Sequence, residues 1–116
     1  MIARQWRGRV PADRVKDYFA LLERTGLADY TATPGHRGTL VLLDRDSEAA
    51  EFTLLTLWES MDAVKAFAGD DPGRARYYPG DGEFLLDFPE RVRHYEVLAD
   101  EGFDGMGEAQ ELLLNE

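Results

Sequence analysis

The chain has no cysteine in 116 residues, so disulfides, thiolate nucleophiles and thiolate metal sites are all excluded. That composition fits a reducing compartment, and a cytoplasmic location is expected. Histidine is nearly missing too: His36 and His94 stand far apart, and the carboxylates show no ligand spacing, so no metal site is expected. No apolar run approaches the roughly 20 residues needed to cross a bilayer. The opening Met1-Ile2-Ala3-Arg4-Gln5-Trp6-Arg7 carries charge where a signal peptide needs an apolar core, so no leader is expected. Basic residues are also short, 13 against 23 acidic, for a net charge of -10. A field of that sign repels phosphate, which argues against nucleic acid and anionic membrane surfaces as partners. Gly35-His36-Arg37-Gly38 lacks the lysine and the following helix of a phosphate loop.

What remains suits one globular domain, with 44% hydrophobic residues. Ile2 to Gly8 reads as a first strand. Pro11 then sets φ for a helix start, with Asp13 at the positive end of the dipole. Val15, Tyr18, Phe19 and Leu22 form a stripe at helical spacing, and Gly26 reads as a left-handed stop. A connector follows from Ala28 to Arg37, with the turn pair Pro34-Gly35. Gly38 to Asp46 and Glu51 to Trp58 read as an antiparallel pair joined by a charged link. Ser60 caps a second helix that turns Met61, Val64, Phe67 and Ala68 inward and closes at Gly69. Asp70 to Asp87 is irregular, with a short helical turn near 74–78 or 83–86, and Arg91 to Leu98 is the last strand. Residues 99–116 form an acidic C-terminal tail containing Leu112, Leu113 and Leu114.

This order, βαββαβ, predicts an α+β ferredoxin-like domain over residues 1–98, with both helices on one face of a four-stranded antiparallel sheet. The third strand carries Phe52, Leu54 and Trp58 on one side and Leu55 and Leu57 on the other. A sheet apolar on two sides needs a second cover, and a homodimer packing sheet against sheet is the simplest supplier.

The first strand with its arginine and tryptophan, Trp58-Glu59-Ser60 leading into a helix, and His94-Tyr95-Glu96-Val97 closing the domain resemble the antibiotic biosynthesis monooxygenase family of the dimeric α+β barrel superfamily. Asp29-Tyr30-Thr31-Ala32-Thr33-Pro34-Gly35 and Ala75-Arg76-Tyr77-Tyr78-Pro79 add local matches. The resemblance implies a homodimer that binds a small aromatic or polyketide-like molecule, oxygenated in some members without metal or flavin. In those members a tryptophan matching Trp58 lines the pocket, with an asparagine four residues earlier, where this chain has Leu54. A haem-degrading branch uses an asparagine, a tryptophan and a helix-borne histidine. Here Asn115 in the tail is the one asparagine and the second helix has no histidine, so haem degradation fits poorly.

The candidate catalytic residues are His94, Trp58 and Arg4. Trp58 reads as a pocket wall or as core packing at a strand end. His94 reads as a general base for a phenolic proton, or as a satisfied structural histidine. Arg4 and Trp6 share a face beside the last strand, where Arg4 either neutralises Glu96 or steadies a substrate oxyanion. Trp6, Leu54, Tyr77, Tyr78 and Glu96 are the candidate ligand contacts, the two tyrosines alternatively packing on a partner subunit. His36 is expected to be exposed. The functional expectation is cofactor-independent oxygenation of a small aromatic substrate. The alternative is a non-catalytic, small-molecule-binding or stress-associated barrel protein.

Overall fold

The computed structural model describes residues 1–102. The expected tail from residue 99, including Leu112 to Leu114, therefore lies almost wholly outside the described residues. Four strands, β1 (Ile2–Pro11), β2 (His36–Arg45), β3 (Ala49–Trp58) and β4 (Arg93–Glu96), form one antiparallel sheet in the order β2-β3-β1-β4. Three helices, α1 (Val15–Arg24), α2 (Gly26–Ala32) and α3 (Met61–Ala68), complete an α+β ferredoxin-like domain. No helix among the described residues is long and apolar enough to cross a membrane.

Because side chains alternate along a strand, register decides which residues meet the helices. Arg4 lies opposite Thr56, Trp6 opposite Leu54, Gly8 opposite Phe52 and Val10 opposite Ala50. All eight belong to a face buried against α1 and α3, with the Tyr18 and Phe52 rings 5.2 Å apart edge to face. His94 and Glu96 of β4 pair with Arg4 and Ile2, on that same face. The opposite face carries Ala3, Gln5, Leu40, Leu42, Leu55, Leu57 and Tyr95, none of which has a helix over it. As expected, Leu55 and Leu57 point away from Phe52, Leu54 and Trp58.

Ser60 caps α3, its Oγ accepting the Ala63 N–H at 3.2 Å, and Gly69 closes it at φ 89°. Four boundaries differ from the sequence reading. The first strand runs on to Pro11, which has extended backbone (φ -56°, ψ 143°) and ends the ladder instead of opening a helix; a three-residue 3-10 turn, Ala12–Arg14, intervenes. Gly26 is no left-handed stop. The chain breaks at Thr25, whose N–H reaches the carbonyls of Leu21 and Leu22, and Gly26 opens α2 across most of the expected connector. Third, the apolar run Leu40 to Leu43 is not covered on both faces within the protomer: β2 is an edge strand with no fully buried residue. Last, β4 is only four residues long, and the one short helical turn in the preceding segment is Asp81–Glu83.

Candidate functional site

A half-open cleft lies between the sheet and the helices, with free space of about 20 Å³. Its floor is Arg4 and Trp6 of β1 with Leu54 of β3. Its walls are Leu22, Tyr30 and Phe67, and the 70–90 segment roofs it with Arg76, Tyr78 and Asp81. Four of the residues singled out from sequence meet here: Arg4, Trp6, Leu54 and Tyr78.

Arg4 is the most unusual of them, since its side chain is 3% exposed. One terminal nitrogen donates to the Arg74 carbonyl at 3.1 Å, while Nε has no partner. The expected ion pair with Glu96 does not form. Glu96 is exposed at the sheet edge, and Arg4 has no carboxylate partner among the described residues. Burial pushes its pKa down, and Arg76 nearby pushes it the same way. The Arg4 and Arg76 guanidinium carbons stand over the Phe67 ring, 5.4 and 5.0 Å from its centroid. Arg76 also ties the roof down: it donates to the Phe67 carbonyl at 2.9 Å and pairs with Asp29 of α2 at 3.4 Å.

The phenols around the cleft are strong candidates for donors rather than acids. Burial raises the Tyr30 pKa to about 12, against the pull of Arg4. Burial also raises Tyr78, and the Asp29 carboxylate near its hydroxyl pushes the same way, although the buried hydroxyl makes no hydrogen bond of good geometry. Asp81, 4% exposed, accepts the Tyr78 N–H at 2.7 Å and has its pKa raised by burial.

His94 is not in the lining. It lies opposite Arg4 in the β1–β4 register, with Nε2 buried and unpartnered. Burial, then the Arg4 charge, lowers its pKa below 6.5, so the ring is neutral at pH 7. Trp58 is likewise outside the lining and fully buried: Nε1 donates to Thr56 Oγ1 at 2.8 Å, and the indole stacks on Phe67 at 5.5 Å between centroids. Phe67 thus forms the wall, and Trp58 stands behind it as core packing, the second of its two expected roles. Tyr77 also turns from the cleft. Its hydroxyl accepts the Trp6 Nε1–H at 3.4 Å and donates to the Pro89 carbonyl. Trp6 itself folds over Gly8 so closely that any Cβ there would collide with the indole.

Three contributors escape the sequence reading. Tyr30 falls in the expected connector, and its place in the matched Asp29-to-Gly35 stretch was the available signal. Phe67 and Asp81 read as ordinary core and loop residues. His36, expected to be exposed, is half-buried. It bonds Thr39 Oγ1 at 2.7 Å and packs edge-on to Trp58 at 5.3 Å, because the strand begins two residues earlier than expected.

No protein-family profile matches this chain, and no curated protein matches it in sequence. Solved structures do match in shape, and what they define is the fold: an α+β domain also found in candidate antibiotic biosynthesis monooxygenases and in haem-degrading proteins. Among them, Rv0793 from Mycobacterium tuberculosis superimposes with a TM-score of 0.60 at 20% identity, over 87% of this chain and 98% of that one. The haem-degrader MhuD from Mycobacterium tuberculosis, seen with two haems in its active site, gives 0.58 at 21% identity over 88% and 100%. A candidate antibiotic biosynthesis monooxygenase from Nitrosomonas europaea gives 0.59 at 15% identity over 85% and 100%. These likenesses bear out the fold expected from the family resemblance.

As the sequence indicates, helix α3 carries no histidine, and His36 Nε2 is engaged by Thr39.

Proposed function

We propose that this protein binds a small aromatic molecule in the cleft and oxygenates it without metal or flavin. The observation that carries this reading is a buried, unpaired Arg4 guanidinium beside a neutral His94 whose Nε2 is free. His94 takes a proton from the substrate, directly or through one water, at the edge of Arg4. Arg4 holds the resulting oxyanion in a site of low polarity, where a fixed charge acts strongly. The electron-rich anion passes an electron to dioxygen, the radical pair combines, and the peroxide loses water. Overall, a ring CH2 and O2 become C=O and H2O. Trp58 supports Phe67, Tyr78 donates to the substrate, and Leu54 keeps the floor dry.

The reading includes a cytoplasmic homodimer. Leu40, Leu42, Leu55 and Tyr95 form an apolar surface on the helix-free face, which a second copy can cover. Leu54 favours a second reading, a ligand-binding protein without turnover, because it removes the amide found in oxygenating relatives.

Oxygen uptake with anthrone- and quinol-type substrates tests the first reading. We expect uptake in wild type, a loss of at least about 100-fold in His94→Ala, in keeping with a general base, and an acid limb below pH 6.5, where the ring becomes charged. No uptake across the panel, or uptake unaffected by His94→Ala, rejects it. A ligand that raises Tm with no uptake supports the second reading.

A further inference from the structure

We propose that the cleft holds its ligand best as an anion: a small planar acid whose charged oxygen (enolate, acidic phenolate or aryl carboxylate) meets Arg4 and the Tyr78 hydroxyl. This rests on the reading of the cleft as the ligand site and adds the charge of the ligand. Arg4 and Tyr78 line the same cavity, both bury a polar atom without a partner, and both of those atoms are donors. What these two donors lack is an acceptor, and the Arg4 charge makes a negative one the best match. A neutral carbonyl can occupy the donors but leaves the buried charge uncompensated.

The neighbouring groups point the same way. Arg76 puts a second guanidinium at the lip, paired with Asp29 on α2, so that two guanidiniums and the one Asp81 carboxylate line the cavity. Tyr18 and Tyr30, raised by burial, stay neutral. Asp81, on the roof, has one carboxylate oxygen engaged by the Tyr78 N–H. The space of about 20 Å³ admits one charged head group, and the cleft is open on one side for the rest of a flat molecule. His94 is a weakened base beside Arg4, suited to an acidic enol and poorly matched to an ordinary phenol.

The test follows 4-nitrophenol by absorbance while it is titrated with the full chain present in excess. We expect its ionisation to move down by about one pH unit, the mark of a roughly tenfold preference for the anion. Benzoate should displace it, and benzamide, its neutral counterpart, should not. Arg4→Gln should abolish both effects, with a thermal melt confirming that the variant is folded. An unmoved titration, benzamide competing as well as benzoate, or an unchanged shift in folded Arg4→Gln overturns the proposal. If Arg4→Gln does not fold, the benzoate–benzamide contrast in wild type decides. Oxygen uptake is a separate readout. Uptake of neutral substrates without anion preference rejects this inference alone, and anion preference without uptake rejects the oxygenation alone.

Discussion

Arg4 keeps 3% of its side chain in contact with solvent and faces no carboxylate among the described residues, so in the unliganded protein its charge opposes folding. Arg4→Met should therefore stabilise the empty protein by about 1–3 kcal/mol, even after the Arg74 carbonyl loses its donor. Calorimetry should record this as a Tm rise of about 4 °C or more, together with loss of anion binding. A fall in Tm would show that Arg4 serves the core and not a ligand. Trp58 is the contrast. With no exposure and both faces packed, Trp58→Ala should cost about 3–5 kcal/mol in denaturant unfolding, as expected for a large side chain removed from a core. At this scale the sequence was informative wherever alternation applied, which placed Arg4, Trp6 and Leu54 on one face. It failed for Tyr30, Phe67 and His36, because their roles come from contacts between elements that no local pattern encodes.

Among the elements, α3 was legible from end to end, since its cap, apolar stripe and closing glycine are all local signals. Ser60→Ala should destabilise by about 1 kcal/mol, read from the denaturation midpoint, because the Ala63 N–H then has only water to bond. Helix α2 was hidden for a physical reason. It has seven residues, too few to display a period, and it sits between Gly26 and the Pro34-Gly35 turn, which both suggest irregular chain. It is held instead by Thr25, Thr31 and Thr33, whose hydroxyls bond carbonyls three or four residues back. Gly35, at φ 91°, then turns the chain so that its carbonyl accepts the Glu59 N–H at 2.8 Å, fastening the start of β2 to the entry of α3.

For the whole molecule, strand order and the two-sided character of β3 followed from the sequence pattern, whereas the cleft did not. Its roof is an irregular segment whose course depends on Arg76, Asp81 and backbone bonds between 73–75 and 90–92. The apolar helix-free face leads to a further expected outcome. Light scattering at micromolar concentration should give twice the protomer mass, and placing lysine at Leu42 and Leu55 together should return the protein to single chains. A compact monomer in wild type would remove the homodimer from the proposed function. The bond from Arg4 to the Arg74 carbonyl spans 70 positions in the chain. A ribosome must therefore release the chain through Asp81 before the anion site has a ceiling. Any fragment truncated before residue 74 keeps most of the sheet yet leaves the Arg4 charge open to water.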